Sequence, residues 1–123
     1  MKGRLGRREL ASLGERAAAD FLMARHYTIM ERNFRCPIGE VDLVARHGEY
    51  LVFVEVRTRQ SHAYGSPEES VTPAKVQKLV ELAQTYIQSH PGLPSLWRID
   101  VVAVEVGKDG AVSRLEVIEN AVS

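Results

Sequence analysis

The stretch GEVDLVARHGEYLVFVEVRTR, residues 39–59, decides how this chain is read. Two apolar runs, 39–46 and 50–59, flank the turn residues Arg46-His47-Gly48-Glu49 and read as paired strands. Period-two alternation puts Glu40 and Asp42 on one face with Val44. It puts Leu51, Phe53, Glu55, Arg57 and Arg59 on one face of the next strand, and Val52, Val54 and Val56 on the other. A strand this apolar is expected at the centre of a sheet, where an acid is costly unless something neutralises it.

Register sharpens the problem. With Arg46 opposite Leu51, Asp42 falls opposite Glu55 and Glu40 opposite Arg57, which makes Glu40 an ion-pair partner of Arg57 or, as the alternative, a group that reaches a metal through water. Two carboxylates facing each other across a strand pair repel. A divalent cation reverses that sign, since Mg²⁺ (or Mn²⁺) is held by one or two carboxylates with water and phosphate oxygens. Arg57, two residues beyond Glu55, would then stand where it stabilises a phosphate. The chemistry implied is phosphodiester hydrolysis by an activated water. The alternative is that the two acids diverge, or lie solvated at an edge and pair with Arg57, Arg59 or Arg98.

Working outward, Leu10, Leu13, Ala17, Phe21 and Ala24 recur at helical spacing and predict a helix over 8–26. Residues 27–34 read as a strand that turns through Cys36-Pro37-Ile38-Gly39 into the hairpin. Residues 60–70 read as an exposed loop. Thr72-Pro73 is a helix start, and Val76, Leu79, Val80, Ala83, Tyr86 and Ile87 supply its buried stripe. Strands 97–106 and 111–118 follow, joined through Lys108-Asp109-Gly110. The order is helix, three strands, helix, two strands: one α/β domain over 1–123, with 1–8 as a basic, flexible arm.

Composition bounds the rest. The chain has 123 residues, 16 Lys and Arg against 16 Asp and Glu, and no net charge. One cysteine, Cys36, excludes a disulfide scaffold and suggests a reducing compartment. Every apolar run is broken by a charge, and no signal-type segment follows the basic N-terminus, so a soluble, cytoplasmic protein is expected, away from membranes. The neutral total hides an uneven distribution. Residues 1–35 hold eight basic side chains against four acidic, and residues 36–70 hold three against six. An acid cluster for a cation beside a basic surface for phosphates suits a nucleic-acid partner.

These residues carry a resemblance. Asp42 followed by Glu55-Val56-Arg57 resembles the metal-binding signature of the PD-(D/E)xK nuclease superfamily. Gly14-Glu15, Arg32-Asn33, residues 39–44, Phe53-Val54-Glu55-Val56-Arg57 and Arg98-Ile99-Asp100-Val101-Val102 together resemble the YraN family, grouped with Holliday-junction-resolvase-like endonucleases. The resemblance spans residues 14–104. It implies a restriction-endonuclease-like core, a mixed sheet flanked by helices. It also implies Asp42 and Glu55 as metal ligands, with the Val56 carbonyl as a third, and Glu15 as a further acid. Arg57 stands where the superfamily pattern has a lysine; arginine binds phosphate but cannot serve as a base. Lys75 could supply the missing ammonium, although a solvated helix-face lysine is the plainer reading.

Other residues offer less. Asp100, in an apolar strand, is expected to anchor a backbone or arginine group. His26, His47, His62 and His90 lack zinc-ligand spacing. Tyr64 to Pro67 lie in a loop where substrate contacts would be useful. Two functions remain open: a metal-dependent endonuclease acting on DNA, including branched DNA, or a nucleic-acid-binding or accessory domain that does not cleave. A homodimer is expected by analogy with resolvases alone.

Overall fold

The structure is a computed structural model that describes residues 4–60 and 65–121. Helix α1 (Arg7–Ala24) leads into β1 (Thr28–Cys36), β2 (Gly39–His47) and β3 (Tyr50–Gln60). Helix α2 (Pro73–Ser89) then crosses over to β4 (Leu96–Val106), and β5 (Val112–Ile118) closes the chain. The five strands lie in sequence order in one mixed sheet, antiparallel except for the β3–β4 pair. A two-residue turn explains the β2–β3 reversal and a helical crossover explains the parallel pair. The element order, the α/β class and the register Arg46↔Leu51 agree with the sequence reading. Gly48, at φ +60°, takes the first central position of the β2–β3 turn, where a left-handed residue matches strand twist.

The helices cover opposite faces. Ala18, Ala19 and Leu22 of α1 pack with Leu43, Val52, Val54, Val102 and Val104. Leu79, Leu82, Ala83 and Tyr86 of α2 pack with Val44, Leu51, Phe53 and Ile99. Thr72 caps α2 as expected, its hydroxyl accepting from the Lys75 N–H at 3.2 Å.

Three sequence expectations are corrected. The stripe of α1 is rotated: Gly14, Ala18, Ala19 and Leu22 are buried, while Ala24 is exposed and Phe21 lies under the Arg25 guanidinium. The helix rests on its smallest residues because these let its backbone approach the sheet most closely. Arg7 and Arg8, expected in the basic arm, belong to α1, and the Leu5 N–H donates to Gln60 at 2.6 Å. The 60–70 segment is not simply an exposed loop. Gln60 completes β3, and Pro67–Ser70 forms a 3-10 turn with Pro67 buried. Glu68 anchors that turn to Arg114 on β5 at 2.7 and 3.1 Å. The expected contacts of Tyr64, and His62, lie outside the described residues.

Close approach is sharpest at Gly14, where an added Cβ would overlap the Thr58 hydroxyl and come within 2.9 Å of the Thr58 Cβ. Gly14→Ala should therefore force α1 away from β3 and cost roughly 1–3 kcal/mol of stability, or more if Thr58 has no free rotamer. Urea denaturation measures it. A stability within about 0.5 kcal/mol of wild type would show that the contact is easily relieved.

Candidate active-site cleft

The cleft arises where the β2–β3 ladder opens. Counting outward from Gly48-Glu49, the pairs His47↔Tyr50, Ala45↔Val52 and Leu43↔Val54 point their amides at each other, and Val56 would come next. The pairing stops at Leu43↔Val54, and the Asp42 carboxylate accepts the Val56 N–H at 2.8 Å instead. Alternation breaks at the same place, because Val41 joins the α2-side core with Val44 while Leu43 packs on the α1 side. A strand residue directs its N–H and C=O to the same side, so the Val56 carbonyl also faces this opening.

The opening is a cleft of about 780 Å³ between α1 and the start of α2. Glu15, Glu40, Asp42 and Glu55 line it together with Arg57 and Lys75. The Glu55 side chain is only 5% exposed, with Arg57 Nε at 3.4 Å and Lys75 Nζ at 3.5 Å from its Oε2. Arg57 Nε is buried and has no hydrogen-bond acceptor, so the nearby carboxylate is misaligned for it. Burial and the charges of Glu55, Glu15 and Glu40 push the Asp42 carboxyl up to about 7, against the opposing pull of the Val56 N–H. Ionising Asp42 is thus costly because the carboxylate is buried among other acids. Among the described residues no three His, Cys, Asp or Glu side chains already stand as a metal-binding group. A cation here would rely on two carboxylates, a backbone oxygen, water and substrate oxygens.

Asp42, Glu55, Val56, Arg57, Glu15 and Lys75 therefore share one cleft. Two details differ from expectation. Lys75 lines the cleft beside Glu55 rather than standing on a solvated helix face. The first turn of α2 ends over the opening, which helical spacing alone does not reveal. Glu40 pairs with Arg35 at 3.2 Å and with Asn33 at 3.0 Å, not with Arg57, because the ladder opens before the two can face each other.

The chain's relatives point to one group. The description "Uncharacterised protein family UPF0102" matches residues 14–104. The chain belongs to UPF0102. This is the YraN family of the resemblance above. A UPF0102 protein of Moorella thermoacetica is 46% identical over 115 residues, covering 94% of this chain and 96% of its own. One from Symbiobacterium thermophilum is 47% identical over 114 residues, covering 93% and 96%. A third, from Renibacterium salmoninarum, is 48% identical over 108 residues, covering 88% and 91%.

This UPF0102 chain has a second polar centre at the other end of the sheet. Asp100, fully buried, accepts from Arg98 Nε at 3.0 Å, Tyr27 Oη at 2.9 Å and the Asn120 N–H at 3.0 Å. Asp100 thus anchors both an arginine and a backbone group, as expected. Arg98 also reaches His47 Nδ1 at 2.8 Å. Arginine only donates, so Nδ1 must accept, and the His47 proton lies on Nε2. The His47 ring stacks on Tyr27 at 3.9 Å. Sequence reasoning missed Asn33, which bonds Glu15 and Glu40 beside the cleft, and Tyr27 in this network. The Arg32-Asn33 pair of the family resemblance is the available signal for the first; the second has none. No helix among the described residues is long and apolar enough to cross a membrane.

Proposed function

We propose that this UPF0102 chain is a metal-dependent endonuclease hydrolysing DNA phosphodiester bonds, built on a core of the restriction-endonuclease kind. The observation that carries the reading is the meeting of Asp42, Glu55 and the Val56 backbone where β2 and β3 part, with Arg57 and Lys75 alongside. The donors are hard oxygens, the type that Mg²⁺ and Mn²⁺ prefer. The raised Asp42 carboxyl fits a site whose charge is incomplete without a cation.

What bound Mg²⁺ or Mn²⁺ supplies there is charge for a phosphoryl oxygen and acidity for a water. The Asp42 and Glu55 carboxylates and the Val56 carbonyl are the groups that would hold it. Arg57, whose Nε stands 3.4 Å from Glu55, lines the cleft and would offer its guanidinium to a phosphate oxygen. The Lys75 ammonium, beside Glu55, offers a compact second cation to the same phosphate. Arg7 and Arg59 extend this basic lining along the cleft. A preference for branched or structured DNA and a homodimeric state are proposed with the nuclease reading.

The test is a cleavage assay on duplex, single-stranded and four-way-junction DNA. Mg²⁺ or Mn²⁺ should give nicking of at least one substrate, and excess chelator should stop it. A different function, nucleic-acid binding without cleavage, would be read from intact DNA bound with strong salt dependence, a slope of about 0.9 per phosphate contact. Neither cleavage nor binding would reject both readings.

A further inference from the structure

We infer that Asn33 is a positioning residue of this cleft, holding Glu15 toward a cation bound at Asp42 and Glu55 while removing Glu40 from that role. The inference rests on the metal-binding reading above.

Asn33 lies within β1 but at φ +54°, a left-handed conformation that few residues besides glycine and asparagine adopt readily. Its Nδ2 donates to Glu15 Oε1 on α1 at 3.1 Å and to Glu40 Oε2 on β2 at 3.0 Å. A carboxamide nitrogen carries two N–H bonds, so each acid receives one and neither is left over. One side chain therefore ties three elements together at the lip of the cleft.

The two acids are not treated alike. The second oxygen of Glu40, Oε1, accepts from Arg35 Nε at 3.2 Å, so both Glu40 oxygens are engaged and its charge faces a guanidinium. Glu15 has only Oε1 engaged, and among the described residues its Oε2 has no hydrogen-bond donor. Glu15 lines the same cleft as Asp42 and Glu55. Since no three acids form a direct metal-binding group, Glu15 is assigned to act at one water's remove. Magnesium-type cations keep several of their waters, and a fixed carboxylate orients one by accepting its hydrogen bond. A partner held at this distance commonly changes metal affinity by about 10–100-fold.

The experiment is a titration of the full chain with Mn²⁺, without DNA, following free Mn²⁺ by electron paramagnetic resonance. Wild type should bind, and Asp42→Asn should abolish that binding. Asn33→Gly keeps the left-handed backbone accessible but removes the amide; it should weaken Mn²⁺ by about tenfold with melting temperature unchanged. Glu15→Gln should weaken it similarly, and the double variant should be no worse than either single one. Glu40→Gln should stay within about twofold, because its carboxylate is already spent on Asn33 and Arg35. Wild-type affinity in Asn33→Gly would overturn the inference, as would additive losses in the double variant or a Glu40→Gln loss equal to that of Glu15→Gln. Loss in Asn33→Ala with full recovery in Asn33→Gly would assign the effect to the backbone and also overturn it. Failure of wild type to bind Mn²⁺, or binding that survives Asp42→Asn, would instead reject the metal-binding reading itself.

Discussion

Asp42→Asn is expected to lower cation-dependent DNA cleavage by about a thousandfold or more while making the metal-free protein more stable than wild type at neutral pH and above. The loss follows from the role proposed for the carboxylate. A correctly held cation supplies several kcal/mol of transition-state stabilisation, and each 1.4 kcal/mol is about tenfold in rate. The asparagine oxygen still accepts the Val56 N–H, so the opening of the sheet survives the substitution.

The stability gain follows from the charge. The Asp42 carboxyl is raised to about 7 in the fold, while an unfolded aspartate titrates near its ordinary value. Between those two values the folded state holds a proton that the unfolded state has released. Its contribution is fully present at low pH and is lost as pH rises through about 7, at up to roughly 1.4 kcal/mol per pH unit. The stability difference between Asp42→Asn and wild type should therefore grow from about pH 4 to about pH 7 and then level off. Chemical denaturation in metal-free buffer across that range measures it. A difference that is flat with pH would mean that Asp42 is not held protonated. Adding Mg²⁺ should close the gap by stabilising wild type alone.

The largest loss of stability is expected at the opposite end of the sheet. Asp100→Ala should cost about 3–5 kcal/mol, because it leaves Arg98, with a side chain only 10% exposed, facing only the exposed Glu119 carboxylate at 3.9 Å. Asp100 accepts from a side chain before β1, from a side chain on its own strand and from a backbone N–H beyond β5. Its loss therefore loosens three parts of the chain together. The tail after β5 would lose one of its ties; others are the Ala121 N–H donating to the Ile99 carbonyl at 2.7 Å and Glu119 beside Arg98 at 3.9 Å. Asp100→Asn should fall between the two, since one of its terminal atoms becomes a donor facing donors. Urea denaturation with far-ultraviolet dichroism gives the values. A cost below about 1 kcal/mol for Asp100→Ala would show that water replaces the carboxylate and that the network is not a buried one.

The hairpin was the most readable part of this chain. Two strands joined by two residues have one register once the Gly48 turn is placed, and that register holds as far as Leu43↔Val54. The Thr72-Pro73 start of α2 was equally plain, because capping chemistry is local. What sequence could not supply depends on how elements approach one another. The seat of α1 is set by Gly14 against Thr58, which favours small residues over the large ones that periodicity selects. The partners of Glu40 depend on where the β2–β3 ladder ends, and alternation assumes that it continues. The inward place of Lys75 depends on the segment between β3 and α2, whose 3-10 turn is fastened by Arg114, 46 residues away in sequence from Glu68.

At position 42 a folding requirement and a chemical one fall on different atoms of a single side chain. Oδ2 accepts the Val56 N–H where the ladder opens, and the full negative charge is what the proposed cation would need. Asparagine satisfies the first requirement and not the second. Under the proposed nuclease reading, a descendant of this chain could therefore retire the chemistry here without rebuilding the scaffold. The short distance between an enzyme and a quiet binding module on this fold is written into that one hydrogen bond.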